Sequence, residues 1–381
     1  MKQMKTITNM AVAIALMATV FTSCSKDEET TATGQNEELA QVNKSYVENT
    51  VYATYTRLAD EAEKLSTMSE DIESQDALVA LCDQWKTTRK FWEFSEAFLF
   101  GAASGYGIDP HIDTWPFDVA AFNNLFSKYH PATSEDDAKI IDEQVATTQN
   151  FTGFHAMEYI IFRDGAPRQL ADITADERYF VKAVAADLYL SACRLEAAWK
   201  GTANVKAARQ QLLEETDMTP ADFFGEEFIN AGKAGSRYKT ITDAALQIIG
   251  GCQDIIGEVA EGKIGSAYHG DDTNYIESPH AYNSIQDFYD NILGCKHALY
   301  GGLTVEGTTP DAKSLIAYSQ KHYPTETAVV VNALETALTK VNAMKRPFVK
   351  NYTDASCGEA IDALDALDEA LSDLGLKFMG Q

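Results

Sequence analysis

The chain contains few prolines and few basic residues for its length. Nine prolines in 381 residues leave room for long helices, because proline interrupts a helix interior. Only 31 basic residues accompany 57 acidic ones, and the formal net charge is −26. Nucleic acid and anionic lipid attract basic surfaces, so this balance argues against either as a binding partner.

Cysteines are also scarce, and none forms a Cys-x-x-Cys pair. The six cysteines include Cys24, which is treated below. The remaining five are Cys82, Cys193, Cys252, Cys295 and Cys357. An odd number without metal-type spacing argues against both a zinc framework and a disulfide scaffold. We expect buried single thiols.

Long apolar runs are missing except near the N-terminus. Residues 10–21 form a run of about a dozen mostly apolar residues after two lysines, which is typical of a signal peptide and too short for a spanning helix. The run ends in Thr-Ser-Cys, so we predict a signal peptide at residues 1–23 and lipidation of Cys24. The alternative is an ordinary signal peptide with an incidental cysteine. The chain is thus expected to be an exported outer-membrane lipoprotein, on the periplasmic or the cell-surface side.

Residues 24–36 are polar and acidic, and we predict that they form a flexible tether. Removal of residues 1–23 takes away two lysines and no acidic residue, which leaves 29 basic and 57 acidic residues and a net charge of −28. That balance suits an exported protein that meets cations. The membrane is expected as a partner only through the lipid.

Helical periodicity dominates the rest of the chain, and no strand-like alternation is sustained. The predicted helical stretches are 37–65, 72–100, 175–200, 238–262, 279–300, 325–341 and 360–376. The predicted class is therefore all-α. About 340 mature residues exceed one usual core, so we predict two packed helical bundles, residues 37–225 and 235–381. Both halves repeat one plan, which is consistent with an internal duplication.

One polar motif lies in an apolar helix. Residues 151–162 read Phe-Thr-Gly-Phe-His-Ala-Met-Glu-Tyr-Ile-Ile-Phe, and Thr152 is predicted to cap the helix. His155 and Glu158 lie three residues apart and so share one helix face. Di-iron bundle proteins use this pair of residue types in the reverse order. The pair predicts either two metal ligands or a buried pair that satisfies itself in the core.

A second motif puts charge on a core-facing stripe. Trp85, Arg89, Trp92 and Glu96 recur at helical spacing. Arg89 and Glu96 are interpreted either as an internal ion pair or as part of a site.

Further oxygen and nitrogen donors follow in an irregular, glycine-containing segment. Asp109, His111, Asp113 and Asp118 lie within ten residues of one another. They supply candidate ligands beside Glu96, although their spacing alone does not say whether they converge.

A third motif lies at residues 275–288. A helix that begins at Pro279 would place His280, Ser284, Asp287 and Asn291 on one stripe. The stripe is interpreted either as a solvated helix face, which the pattern alone favours, or as a polar lining between the two bundles.

Several enzyme signatures are missing. There is no His-Glu-x-x-His or His-x-x-Glu-His zinc motif. The sequence also lacks a phosphate-binding loop, a nucleophile elbow and a dinucleotide fingerprint.

Taken together, the motifs resemble the imelysin family, including its iron-regulated members. Gly153-Phe-His155-Ala-Met-Glu158 is similar to the family's Gly-x-His-x-x-Glu signature. The stripe from Trp85 to Glu96, the Ile-Asp-Thr-Trp-Pro-Phe-Asp segment at 112–118 and residues 277–301 resemble further family segments in the right order. Ala281 departs from the serine that the family pattern would place there, which puts a hydroxyl contact in doubt.

The resemblance implies two helical bundles with the motifs near their interface. It implies a lipid-anchored metal-binding component of an iron-uptake system, with iron favoured over zinc or another divalent metal and with other uptake proteins as partners. The implied ligands are His155, Glu158, Glu96 and Asp113. The implied cleft-lining residues are Arg89, Trp92, Asp109, Trp115, Asp118, Gly153, Glu277, Ser278, Ser284 and Asp287.

Two other functions stay open. One is a metallopeptidase, the activity behind the family name, in which a carboxylate would activate a metal-bound water. A hydrolytic zinc site normally has three protein ligands and a water, and the missing zinc motif argues against it. The other is a binding protein for an organic ligand such as haem or a siderophore.

Overall fold

The computed structural model describes residues 26–303 and 309–380 of the chain. The predicted signal peptide and the lipidation of Cys24 lie outside the described residues. Within them, no helix combines the length and the apolar character needed to cross a membrane.

Helices form almost all of the regular structure. The first half contains α1 (Lys26–Tyr46), α2 (Tyr52–Ser69), α3 (Gln75–Ser95), α4 (Ala102–Gly105), α5 (Asp109–Ile112), α6 (Val119–Phe126), α7 (Glu135–Thr147), α8 (Gly153–Ile161), α9 (Ala175–Lys200), α10 (Ala207–Glu215) and α11 (Phe224–Ile229). The second half contains α12 (Ile241–Gly257), α13 (Ser266–Tyr268), α14 (Ser284–Tyr300), α15 (Leu315–His322), α16 (Pro324–Asn342), α17 (Phe348–Asn351) and α18 (Ala355–Met379). The predicted all-α class is confirmed.

Shorter elements connect them. The segments Glu96–Phe98, Leu170–Asp172, Thr202–Asn204 and Thr273–Tyr275 are 3₁₀ turns, and Val47–Val51 and Glu258–Gly265 are π-helical. The only strands among residues 26–303 and 309–380 are β1 (Phe162–Arg163) and β2 (Ala166–Pro167), which pair antiparallel. Asp164 and Gly165 between them both have positive φ, as a two-residue hairpin turn requires.

Helix boundaries follow local capping chemistry. Thr174 and Glu177 form a capping box at the start of α9, and Gly201 ends that helix. This helix has the predicted bounds. The structure differs at the N-terminus, where α1 begins at Lys26 and the predicted tether at 26–36 is therefore helical. The segment has two glutamates, one alanine and one glutamine but also three threonines, a glycine and an asparagine, so its helix continues that of the packed residues from Leu39 onward and does not follow from its own composition.

One continuous cluster of buried apolar side chains extends from Leu39 on α1 to Phe378 on α18. Helix α3 packs on α2 and α14, and α1 packs on α12, so helices of both predicted bundles contact each other. The division into bundles at residues 225–235 stays a prediction. All five cysteines beyond Cys24 are buried and free, as expected.

Candidate metal centre

Gly153 brings the first two pieces of the site together. It begins α8 with φ of +75°, a conformation that other residues adopt at a cost. A Cβ at this position would lie 2.1 Å from the carbonyl oxygen of Ile112. The missing side chain at residue 153 lets the backbone of Ile112 pack against the start of α8, so the next residue, Asp113, lies close to this helix. Thr152 precedes the helix as predicted, but its hydroxyl forms no capping hydrogen bond.

His155 is buried between two carboxylates. Its Nδ1 lies 3.3 Å from Glu158 Oε2 and its Nε2 lies 3.1 Å from Asp113 Oδ1. The Asp113 contact lacks the geometry of a hydrogen bond, so Nε2 has no hydrogen-bond partner. The ring of Trp115 packs on the imidazole at 4.4 Å between centroids. The free nitrogen therefore faces Asp113 rather than Glu158.

Glu158 is held by backbone groups. Its Oε1 accepts hydrogen bonds from the N–H groups of His280 at 2.7 Å and Ala281 at 2.8 Å. Ala281, which departs from the family pattern, thus contributes its backbone. The turn between β1 and β2 supports this loop, because Gly165 N–H donates to the His280 carbonyl at 2.9 Å. Glu158 fixes the imidazole from the side opposite Nε2.

Arg89 lies at the centre of several buried carboxylates. Its guanidinium contacts Glu93 at 2.7 Å, Asp113 at 2.6 Å, Glu277 at 2.8 Å and Asp287 at 3.3 Å. Both members of every pair are nearly inaccessible to solvent. Arg89 therefore joins α3, the 109–113 segment, the loop before α14 and α14 itself.

Glu96 pairs with a different cation, Lys263. The Lys263 ammonium lies 2.8 Å from Glu96 Oε2, 3.3 Å from Glu277 Oε1 and 3.4 Å from Asn291 Oδ1. Arg89 and Glu96 therefore do not form the internal ion pair that was one of the two interpretations. Arg89 instead pairs with the four carboxylates named above, and Glu96 pairs with Lys263. We call the whole set the interior network: Arg89, Glu93, Glu96, Asp113, His155, Glu158, Lys263, Glu277 and Asp287.

Two groups of ligand atoms converge in this network. Asp113, His155 and Glu277 offer atoms that all lie within 4.8 Å of one another, and so do Glu93, Glu96 and Asp113. In the first group, His155 Nε2 and Glu277 Oε2 are buried and lack a hydrogen-bond partner. A buried polar atom without a partner costs free energy. One imidazole and two carboxylates with unused lone pairs fit a metal ion.

A cavity of about 210 Å³ is lined by Asp113 and Glu277 of the first group and by Glu96 and Asp113 of the second, while His155 lies behind its wall. Its lining, called the acidic cavity here, comprises Glu96, Leu99, Asp109, Asp113, Trp115, Glu258, Gly262, Lys263, Tyr275 and Glu277. Five of these residues are acidic and one is basic. Burial raises the pKa of Glu96, Asp109 and Glu258, so a cation that enters the cavity would compete with protons on these acids.

The surroundings shift the pKa values of the acids in opposite directions. Burial raises the pKa of Glu93 and of Glu96 well above the usual range. Burial, with help from the Asp113 charge, raises the pKa of Asp109 to about 7. Burial would also raise the pKa of Asp113, but Arg89 and then His155 overcome it and hold that pKa well below its usual value. Asp113 is thus an anion at neutral pH.

His155 gains protons more readily than a free imidazole. Burial and the Arg89 charge lower its pKa, but the Asp113 and Glu158 carboxylates outweigh them and raise it. A metal ion at Nε2 would therefore compete with a proton there.

The third motif differs from its predicted form. Helix α14 begins at Ser284 rather than Pro279, because Ser278 and Tyr282 have positive φ and form a turn. His280 is consequently off the helix. Ser284, Asp287 and Asn291 are buried, so the interpretation as a solvated face is wrong.

The predicted cleft-lining residues separate into several roles. Trp92 Nε1 donates to Asp113 Oδ2 at 2.7 Å. Ser278 Oγ donates to Asp287 Oδ2 at 2.5 Å, and Ser284 Oγ donates to the Glu277 carbonyl at 2.5 Å. Asp118 lies elsewhere: it is exposed and accepts a hydrogen bond from Ala121 N–H at the start of α6. Its short side chain suits a helix cap, so it was wrongly placed in the cleft.

Sequence reasoning missed three charged residues of the site. Glu93 follows Arg89 by four residues, and that spacing on one helix face could have identified it. Glu258 and Lys263 lie in the sequence Glu-Val-Ala-Glu-Gly-Lys, which has the composition of a solvated surface. Only the π-helical geometry of Glu258–Gly265 turns both residues toward the acidic cavity.

Comparison with known proteins agrees with the motif and the fold. The family model for imelysin, which is named as a peptidase family, matches residues 51–374. This chain belongs to the imelysin family. The match includes all three motifs, on α3, on α8 and at the start of α14 with the loop before it.

Imelysin relatives cover nearly the whole chain. Iron-regulated protein A of Synechococcus elongatus is 25% identical over 371 residues, which is 96% of this chain and 91% of that protein. The crystal structure of an iron-regulated protein A precursor from Parabacteroides distasonis has a TM-score of 0.76 at 23% identity, over 90% of this chain and 95% of that one. An imelysin-like protein from Psychrobacter arcticum has a TM-score of 0.62 at 14% identity, over 90% and 96%. These structures show the fold.

Proposed function

We propose that this imelysin-family chain binds iron as its cargo at the wall of the acidic cavity formed by Asp113 and Glu277, with these two residues and the adjacent His155 as ligands. The observation that carries the proposal is the pair of buried, unpartnered atoms, His155 Nε2 and Glu277 Oε2, beside Asp113. A cation there would satisfy atoms that otherwise cost free energy.

The charge of the interior network supports a cation. Six carboxylates contact only two permanent cations, Arg89 and Lys263, and one histidine. Asp109 and Glu258 add acid groups at the cavity wall. Interactions between charges are strong where water is excluded, so an added cation gains more here than at the surface.

The donor set and the relatives favour iron over zinc. Imidazole suits iron, and carboxylates are hard oxygen ligands, whereas structural zinc sites rely on cysteine and histidine. The name of the Synechococcus relative connects that protein to iron regulation, and we extend the connection to this chain as part of the proposal.

Two predicted ligands take supporting roles in this proposal. Glu158 orients the imidazole through Nδ1, as carboxylates beside metal-bound histidines commonly do. Glu96 lines the cavity and is a further ligand once Lys263 releases it.

The cavity volume disfavours the alternatives. About 210 Å³ is below the ~300–1,000 Å³ typical of pockets for small organic ligands. It accommodates an ion with several waters, at about 30 Å³ for each water. Haem, a siderophore or a peptide segment would need the walls to move apart.

We further propose that the protein is a lipid-anchored component of an iron-uptake system at the outer membrane. This part depends on the N-terminal sequence, the acidic charge and the family. Mass spectrometry of the wild type should show a chain that begins at Cys24 and carries the acyl mass, and Cys24→Ser should lose that mass. A wild-type chain without an acyl group on Cys24 would contradict the anchor.

The metal proposal is tested by elemental analysis after loading with iron and desalting. We expect about one iron per chain in the wild type. His155→Ala and Glu277→Gln should lose it, while Glu158→Gln should weaken it about 10–100-fold because that residue orients the ligand. His297→Ala is the matched control, since His297 is also buried but lies outside the network.

The outcomes separate the candidate functions. Iron retained by His155→Ala would contradict the ligand assignment. No iron in the wild type, combined with chelator-sensitive cleavage of a protein substrate, would favour the metallopeptidase. Circular dichroism spectra of all variants establish that the helical fold is intact.

A further inference from the structure

Lys263 occupies an unusual position for a lysine. It is buried, with a relative exposure of 8%, and its ammonium contacts oxygens from three separate parts of the chain: Glu96, Glu277 and Asn291. Fully buried lysines are rare unless they are paired. Together with Arg89, this ammonium therefore supplies the positive charge of the interior network when no metal ion is bound.

The location of Lys263 makes its ammonium movable. Its side chain lines the acidic cavity, so a path toward solvent exists. The residue lies on the π-helical segment Glu258–Gly265, between Gly262 and Gly265. π-helical turns are uncommon and are often found at functional sites. A long, flexible lysine stem can carry the ammonium toward solvent without movement of the core helices.

The contacts of Glu277 create a conflict with metal binding. Oε1 of Glu277 accepts hydrogen bonds from Arg89 at 2.8 Å and from Lys263 at 3.3 Å, while Oε2 has no partner. A metal ion bound by Glu277 would lie close to the Lys263 ammonium. Like charges at such a separation repel strongly in a site that excludes water.

We infer that Lys263 is an internal substitute for the metal, and that its ammonium and the metal ion bind Glu96 and Glu277 alternately. The inference rests on the proposed function and adds a means by which the chain itself adjusts its affinity for the metal ion. In the empty protein the ammonium compensates part of the network's charge. When the cargo enters the cavity, the ammonium moves away from Glu96 and Glu277 toward solvent and releases both carboxylates to the ion.

The exchange of the ammonium and the metal ion affects how readily a protein that carries the ion releases it. A site with all its carboxylates free would hold the cation tightly and release it slowly. An internal competitor lowers the affinity and compensates the carboxylates as the ion leaves. Lys263 therefore tunes the site toward release.

The first test compares metal affinity in three variants of the full mature protein. The probes are Ga³⁺ and Zn²⁺, which substitute for ferric and ferrous iron without redox chemistry. Lys263→Met removes the charge and keeps the length of the side chain, and we expect at least a tenfold tighter dissociation constant by calorimetry. Lys263→Arg keeps the charge and should not tighten binding. Lys296→Met is the matched control, because Lys296 is also a buried lysine but pairs with Glu335.

The second test follows the ammonium in the wild type. Protein with ¹⁵N-labelled lysine should give an NMR signal for the protected Lys263 ammonium, assigned by its loss in Lys263→Arg. On addition of the bound probe ion, we expect this signal to move or to disappear through exchange with water. The Lys296 signal should stay in place. This measurement decides the question if Lys263→Met does not fold.

The outcomes distinguish the inference from the proposed function. If the wild type binds neither probe ion nor iron, the proposed function fails and the inference falls with it. If the wild type binds the ion but a folded Lys263→Met binds no tighter, or if the ammonium signal stays unchanged, the inference is overturned and the metal site stands.

Discussion

Replacement of Gly153 by alanine should damage both the fold and the site. Gly153 has φ of +75°, and a Cβ there would lie 2.1 Å from the Ile112 carbonyl oxygen. Real Cβ atoms almost never come closer than 3.0 Å to such an atom. The 109–113 segment must therefore move by about 1 Å, which a close-packed interior resists.

The expected cost has two parts. The positive φ alone costs an alanine about 1–3 kcal/mol. The displacement of Ile112 adds about 1–3 kcal/mol, as overpacking of a core does. Because Asp113 is the next residue, the same displacement lengthens its 2.6 Å contact with Arg89 and its 3.1 Å contact with His155. We expect a total loss of about 2–6 kcal/mol and weaker iron binding.

Urea unfolding followed by circular dichroism measures the stability, and iron loading measures the site. Gly232→Ala is the matched control, since Gly232 has φ of +82° but its nearest neighbours would lie 3.8 Å from a Cβ. That variant carries the conformational strain without the overlap. Equal losses in the two variants, or unchanged iron binding in Gly153→Ala, would refute the reasoning.

Two further predictions concern the charges. Arg89→Met should lower the free energy of unfolding by about 3–5 kcal/mol, because buried carboxylates lose their partner. Arg57→Met is the control: Arg57 belongs to a half-exposed ion pair, so its loss should cost at most about 1 kcal/mol. Similar losses of the two variants in urea unfolding would contradict this prediction. The pKa of Asp109 is raised to about 7, mainly by burial, so the folded protein disfavours the ionised carboxylate and loses stability relative to the unfolded chain as the pH rises from about 4 to about 7. Asp109→Asn should therefore gain stability relative to the metal-free wild type between pH 5 and 7 and level off above it; a difference in melting temperature that does not vary with pH would contradict the burial argument.

Much of the fold could be predicted because helix signals are local. The capping box at Thr174 and the glycine at Gly201 define α9 within a few residues of sequence. The stripe of Trp85, Arg89 and Trp92 is core-facing, as its period predicts. The start of α14 could not be predicted in the same way, because the turn at residues 278–282 is fixed by distant partners, Glu158 and the β1–β2 turn.

The sequence named most residues of the candidate site, but it did not indicate which of them pair with each other. His155, Asp113 and Glu277 were all candidates, and the structure brings them within ligand distance of one another. The spacing of His155 and Glu158 suggested that both face one ion. In fact Glu158 lies on the Nδ1 side, because two backbone N–H groups from across the structure hold it there. Helix spacing identifies a shared face, but it does not say what the rest of the chain places against that face.

The interior network explains why stability and cargo binding should be coupled in this protein. Its members come from positions 89 to 287 of the sequence, so the network forms only when distant helices have packed. Buried acids with few counter-charges lower the stability of the empty protein. A cation that binds the folded state alone adds stability as RT ln(1 + [L]/Kd), about 2.7 kcal/mol at one hundred times Kd. Under the proposed function, the buried acids that weaken the empty fold are therefore the same groups that would bind the cation.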